Sequence, residues 1–388
     1  MNINNIHDCF GCGVCAIACG RRIIDICINA SGFYEPRITE PEKCTNCGLC
    51  VEVCSYRHDD ISLKNPSLSS YAAWSKEKAI LQKCSSGGVG FEIGRELVGK
   101  GYKVCAVKFN AEKNQAEHYI AKSVEELIPS IGSKYIQSNT VEGFRKINRK
   151  EKYLVTGTPC QIDSFRRYIQ RFHCEDNFVL LDFFCHGVPS KLLWNKYVKR
   201  AEKQVGRLTS ASWRNKQSGV HTSFGLPTGE NGQSQPVNWH DSYNMHLRGE
   251  NGTINSSLSK GDKFYRLFFS DSCLGKACYK NCRFKWEKSS ADIRIGDAWG
   301  KTFSENEAGV SVAIAFSEKG NNILQNCNCE LRKLPFDVVA EGQMKSNVSI
   351  NRRSSLLLFL LHIPNLSIEH IYKLYFSYRK IWKKLNRK

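Results

Sequence analysis

A chain of 388 residues, 41% hydrophobic and 24% charged, exceeds one ordinary core and is expected to fold as two or three domains. No apolar run reaches the roughly 18 residues of a bilayer span, which excludes a membrane-crossing helix. The formal charge of +19 favours acidic partners, yet basic residues are not interleaved with aromatic ones, so nucleic acid is not expected among them.

Nineteen cysteines are many for such a chain, and eight of them form two runs of one spacing, Cys9-x2-Cys12-x2-Cys15-x3-Cys19 and Cys44-x2-Cys47-x2-Cys50-x3-Cys54. Thiolates two residues apart wrap three corners of an iron–sulfur cubane, and in two-cluster ferredoxins the fourth thiolate of each run crosses to the other cluster. Cys9, Cys12, Cys15 and Cys54 are therefore expected to hold one [4Fe–4S] cluster, and Cys44, Cys47, Cys50 and Cys19 a second. Structural zinc prefers separate cysteine pairs, which neither run offers. No charged-then-apolar leader opens the sequence, so persistent disulfides are not expected and a cytoplasmic location is. Gly20 and Ser55 stand where the bacterial run usually has proline.

Between the runs, apolar residues from Ile23 to Ile28 and from Phe33 to Ile38 flank Asn29-Ala30-Ser31-Gly32 and read as a hairpin, with Cys27 as a core cysteine. The polar stretch from Arg57 to Ser70 reads as a linker. From Ala79 to Tyr197 short apolar strands alternate with helical segments, the pattern of an α/β domain. Beyond Gly206 the chain turns polar, as in Pro227-Thr228-Gly229-Glu230-Asn231-Gly232, and a looser β-rich insertion is expected before helix returns.

Three junctions carry candidate chemistry. Cys84-Ser85-Ser86-Gly87-Gly88 opens a helix whose free amides suit an anion such as a cofactor phosphate, or form a capped turn and no more. Thr158-Pro159-Cys160-Gln161 starts another helix after an apolar strand, where amides would lower the Cys160 pKa; cluster ligand, reactive thiol and cofactor wall are three readings of that residue. Cys185 and His186 follow a third strand, at the sheet end where ligands bind in open α/β folds. His186 is a candidate proton donor to a reduced cofactor, or a structural histidine. Cys273, Cys278 and Cys282 need a fourth thiol, and Cys185 or Cys160 would complete a third cluster or a zinc site.

The two cysteine runs, Ser85-Ser86-Gly87-Gly88, Gly157-Thr158-Pro159-Cys160-Gln161, Cys185-His186-Gly187-Val188-Pro189, Cys278 with Cys282, and Gly296-Asp297-Ala298-Trp299-Gly300 together resemble the coenzyme F420 hydrogenase/dehydrogenase beta-subunit family over residues 1–335. The resemblance implies an iron–sulfur flavoprotein that binds FAD, taking electrons from a redox carrier protein through [4Fe–4S] clusters to a flavin that serves a small-molecule substrate. It further implies that Ser85 to Gly88 and Thr158 to Gln161 contribute to the flavin site. Members with such a cysteine module also occur beside polysaccharide-assembly enzymes. A non-catalytic electron-transfer protein feeding a separate enzyme is the alternative. Cys278 and Cys282 are separated by three residues where the family is expected to have two.

The expected architecture is an α+β ferredoxin-like dicluster module (1–62), then an α/β flavin-binding domain in two parts (75–150 and 151–335) with a β-rich insertion, and a C-terminal helical tail (345–388). No acid follows Glu369, while Ile371, Leu374, Tyr375, Tyr378, Ile381, Trp382 and Leu385 recur at helical spacing. That basic amphipath either lies on an anionic bilayer at the cytoplasmic face or docks on its own domain.

Overall fold

The computed structural model describes residues 1–216, 239, 243–306, 308–350 and 352–385. The segment Pro227–Gly232, expected as a loop in the insertion, lies outside the described residues. Among the described residues fourteen strands run in chain order: β1 (Ile24–Ile28), β2 (Tyr34–Ile38), β3 (Ser69–Ser75), β4 (Lys103–Asn110), β5 (Gln115–Ala121), β6 (Ser138–Asn139), β7 (Tyr153–Thr156), β8 (Phe178–Phe183), β9 (Leu208–Trp213), β10 (Asn244–Gly249), β11 (Gly252–Ser257), β12 (Ile293–Asp297), β13 (Ser311–Ala315) and β14 (Cys329–Lys333).

The centre is a nine-stranded mixed sheet in the order β14-β3-β13-β12-β8-β7-β4-β5-β6. β7 and β8 carry the apolar runs Tyr153–Leu154–Val155 and Phe178–Val179–Leu180–Leu181 without polar alternation, as suits strands covered on both faces. Around them β12, β8, β7 and β4 lie parallel, so their carboxyl ends open on one edge. β3 is antiparallel to β13, which is antiparallel to β12, so the end of β3 that leads toward Ser85 reaches that same edge. One face is packed by the helices Val89–Gly99 and Glu318–Asn326, the other by the helix Pro159–Arg171.

β1 and β2 form the expected hairpin, but Cys27 is exposed rather than in the core. It falls on the outward face of a two-stranded ribbon that alternates with Ile24 and Ile26. Val14, Ala18 and Val53 of the cysteine module are buried in one cluster with Val155, Phe165 and Leu180 of the sheet and its helix. The insertion contributes a separate three-stranded sheet, β11-β10-β9. It shares a core with the helix Lys191–Val205 and with the terminal helices Arg352–His362 and Ile368–Leu385. Among the described residues no helix is long and apolar enough to cross a membrane.

A buried ion pair ties β8 to β12. Arg294 donates through Nε and Nη2 to the two carboxylate oxygens of Asp182, each at 2.7 Å, and both side chains are fully buried. Its Nη1 reaches the carbonyls of Phe284 at 3.2 Å and Trp286 at 2.8 Å, holding the turn that follows Cys282 against the sheet. Such a pair adds little over an apolar substitute, but losing one member strands the other charge in the core. Arg294→Ala is expected to lower stability by about 3–5 kcal/mol, whereas replacing both partners with apolar residues should cost less. Anaerobic urea unfolding of the two variants checks this.

Candidate functional site: three thiol groups beside a cavity

Both cysteine runs follow one backbone course. Gly11 and Gly13 have φ of 62° and 76°, and Asn46 and Gly48, at the matching positions of the second run, have 53° and 81°. Left-handed residues on each side of Cys12 and Cys47 curl the chain and turn successive amides inward. Each run then enters a short helix, Val14–Ala18 or Leu49–Glu52, that carries its third cysteine. The fourth cysteines continue in extended backbone, Cys19 at ψ 104° and Cys54 at ψ 102°.

The neighbours of each thiol outline two groups joined through Cys15. Cys9 has Cys12 and Cys54 near it, and Cys54 has Cys12; Cys50 has Cys47 and Cys19; Cys15 has Cys50 as well as Cys9, Cys12 and Cys54. Burial pushes the Cys9, Cys12 and Cys15 thiols up and Cys54 up to about 12, and the neighbouring sulfurs add to the effect in Cys9, Cys15 and Cys54. Thiolates packed this way call for a cation among them, which fits a metal cluster. The Gly11 amide donates to Cys9 Sγ at 3.3 Å, and Asn2 Nδ2 lies 3.5 Å from Cys44 Sγ, placing donors where sulfur would carry charge. Among the described residues no three such side chains converge closely enough for a single metal ion. The first group is mostly buried, while Cys47 is exposed and Cys19 and Cys44 are half-buried.

Ser164 joins the module to the helix Pro159–Arg171. Its hydroxyl lies 3.3 Å from Cys12 Sγ and accepts the Ser55 amide at 3.0 Å. A proline at position 55, as bacterial ferredoxins have after the fourth cysteine, would remove that donor.

The first turn of the same helix carries Cys160, which belongs to a third group. Cys160 has Cys185, Cys278 and, from the first group, Cys12 near it, and Cys278 has Cys185 and Cys282. Cys273 is not with them. It precedes the helix Lys276–Lys280 and turns into the apolar core, its sulfur 3.9 Å from the Leu267 carbonyl. Cys160 is the fourth thiol of that neighbourhood. Burial also pushes the Cys160 thiol well up, opposed by the Thr158 hydroxyl 3.2 Å away, so the lowering expected from the helix start is overridden. Phe10, from the first cysteine run, packs on Tyr56 and Phe284 at centroid distances of 5.5 and 5.9 Å and touches the cluster of side chains containing Cys160 and Cys282.

At the carboxyl ends of the parallel strands lies a cavity of about 550 Å³ whose lining includes Phe10 and Cys185. Ser85, Ser86, Gly88, Thr158, Gln161 and His186 line it, while Gly87, Pro159 and Cys160 do not. Gly87 is needed for packing instead: a Cβ there would stand 2.3 Å from the Ala73 carbonyl and 2.6 Å from the Ser311 amide. Thr158 caps its helix reciprocally, its amide donating to Gln161 Oε1 at 2.9 Å. Val89 and Gly90 bring the start of an eleven-residue helix to the wall, a pole suited to an anion. His186 Nε2 lies 2.6 Å from Asp271 Oδ1, with the ring between Phe268 and Phe269.

Sequence reasoning missed one part of the wall and the support behind another, at Tyr243, Asp297 and Trp299. The loop from Ser130 to Ser138 crosses it, and Lys134 there donates to the carbonyls of Ser130, Ile131 and Gly132 at 2.7, 3.1 and 3.0 Å, its pKa lowered by burial to about 7. Arg214, buried beneath the rings of Trp239, Tyr243 and Trp299, donates to Asp297 at 3.0 Å. Only the Asp297 and Trp299 motif hinted at the second, and nothing local marked the first.

Gly13 and Gly48, left-handed at matching positions of the two runs, offer a contrast. At Gly13 an added Cβ would stand 2.0 Å from Thr140 Oγ1, whereas at Gly48 it would meet nothing within 4 Å. Gly48→Ala should cost about 1 kcal/mol of backbone strain and keep full iron content, while Gly13→Ala should cost more and lower iron retention. Iron analysis and thermal unfolding of the two variants test this.

Two family models described as coenzyme F420 hydrogenase/dehydrogenase, beta subunit, match the chain, the one for the amino-terminal part over residues 70–144 and the one for the carboxyl-terminal part over residues 150–333. A 4Fe-4S binding domain model matches residues 38–56. No curated protein matches. Among solved structures, a chain of the F420-reducing [NiFe] hydrogenase complex from Methanosarcina barkeri is similar at 16% identity and a TM-score of 0.47, over 81% of this chain and 93% of that one. The chain belongs to the coenzyme F420 hydrogenase/dehydrogenase beta-subunit family and carries a 4Fe–4S binding domain.

Proposed function

We propose that this protein is an iron–sulfur flavoprotein oxidoreductase. It would accept electrons from a redox carrier protein at the exposed edge of the cysteine module and deliver them to a small substrate in the cavity. Cys44, Cys47, Cys50 and Cys19 would hold the outer [4Fe–4S] cluster, Cys9, Cys12, Cys15 and Cys54 the inner one, and Cys160, Cys185, Cys278 and Cys282 a third. Flavin, when bound, supplies the exchange between one-electron and two-electron chemistry. The carrying observation is spatial: the inner thiol group neighbours Cys160, and Cys185 of the third group is on the cavity wall.

The chain's own residues have separate tasks in this reading. Val89 and Gly90, with Ser85 and Ser86, receive the phosphate end of FAD at a helix start. The volume of about 550 Å³ lies in the range of cofactor pockets, roughly 300–1,000 Å³. His186, oriented by Asp271, holds a proton at the cavity wall. Phe10 excludes water between the module and the cavity.

Two measurements test the proposal. Cys160→Ala should lose about four irons per chain, while Cys273→Ala should lose none; equal loss from both variants would return Cys273 to the ligand set. Protein prepared without oxygen should bind flavin, and Ser85→Trp, which fills the cavity, should abolish binding and leave iron unchanged. Failure of the iron-loaded wild type to take up FAD or FMN would leave the non-catalytic electron-transfer reading.

A further inference from the structure

The terminal helical pair is docked, yet only in part. Ile368, Ile371 and Tyr375 are buried against the body of the protein, so self-docking holds for that row of the last helix. The loop before it is clamped by Lys196, whose Nζ donates to the carbonyls of Ile363, Pro364 and Leu366 at 2.5, 2.9 and 3.0 Å. Glu369, which has no acid after it in the chain, is paired with Arg200 at 2.5 Å. Tyr375 Oη lies 2.6 Å from Ser272 Oγ, and Tyr372 Oη accepts from Arg266 at 2.9 Å.

A second apolar row remains outside. Leu374 and Tyr378, one helical turn apart, are 51% and 44% exposed, and Phe359 on the preceding helix is 63% exposed. Of nine prominently exposed large apolar side chains among the described residues, four (Ile350, Phe359, Leu374 and Tyr378) belong to this C-terminal portion. Charge is concentrated in the same stretch of sequence. Residues 345–388 hold ten Lys and Arg against the single Glu369, so nearly half of the net charge of +19 sits there. Residues 1–62, by contrast, hold five basic and eight acidic residues.

We propose that this helical pair is an interfacial anchor that seats the protein on an anionic phospholipid surface. Phe359, Leu374 and Tyr378 enter the headgroup and acyl boundary, while the cationic chain around them meets the lipid phosphates. Apolar side chains at an exposed face supply partition, and each cation near an anionic surface adds a salt-sensitive increment. A protein partner or a second copy would cover the apolar row without requiring so one-sided a charge. The clamp by Lys196 and Arg200 makes this a fixed surface of the folded body, so membrane contact orients the whole molecule. The inference is independent of the redox reading.

The test uses full-length, iron-loaded protein sedimented with phosphatidylcholine vesicles, with and without phosphatidylglycerol. Binding should appear only with phosphatidylglycerol and should weaken as salt is raised. Replacing Phe359, Leu374 and Tyr378 together by serine should reduce binding about tenfold or more with iron content and thermal unfolding unchanged. Charge reversal at Lys373, which is exposed, should weaken binding without abolishing it. No binding to the anionic vesicles at low salt would overturn the proposal, as would undiminished binding by the triple variant. Self-association that the triple variant removes, without vesicle binding, would overturn it in favour of an interface between copies.

Discussion

Sulfur atoms held close together away from water are the constraint on which this structure turns. Burial raises the thiols of Cys9, Cys12, Cys15 and Cys54, and again those of Cys160, Cys185 and Cys278, and neighbouring sulfur charge adds to burial at Cys9, Cys15, Cys54, Cys160, Cys185 and Cys278. A fold spends conformational freedom on such crowding only where something between the sulfurs returns the energy. The paired left-handed turns at Gly11 and Gly13, and at Asn46 and Gly48, are the backbone means by which two sequence runs create the same concavity twice.

Everything downstream is placed relative to those sulfurs by one helix and one sheet edge. The helix Pro159–Arg171 presents Ser164 to Cys12 and Ser55, and its first turn carries Cys160 into the third group. Parallel β7, β8 and β12 end on the same side, so the end of each strand or the chain leaving it supplies wall or thiol: Thr158, Cys185 and Asp297. The Arg294–Asp182 pair fixes β12 on β8 and, through the Phe284 and Trp286 carbonyls, the segment after Cys282.

Local pattern carried much of this arrangement and failed where packing decided. The cysteine spacing, the β1–β2 hairpin and the strand ends at Thr158 and Cys185 are local features, legible from residue type and periodicity. Cys273 and Cys160 are the instructive pair. Nearness in sequence favoured Cys273, but the short helix that carries Cys278 leaves it facing the core, and the sheet delivers Cys160 from more than a hundred residues away. Cys27 looked like a core residue in an apolar strand, yet a ribbon covered on one face exposes alternate positions. Lys134 was invisible, and Arg214 was hinted at only by the Asp297 and Trp299 motif, because their places depend on which loops cross the sheet edge. Gly87 and Pro159, expected at the flavin site, do not line the cavity; the small size of one and the fixed φ of the other serve packing and helix initiation.

The most direct test of the account is electron paramagnetic resonance of the reduced, anaerobically prepared protein. If Cys19 and Cys54 are exchanged between the two runs, the inner and outer clusters are near neighbours, and their spectra should be broadened and split by mutual magnetic coupling. A single uncoupled signal, or a silent protein with zinc on these sulfurs, would contradict the account.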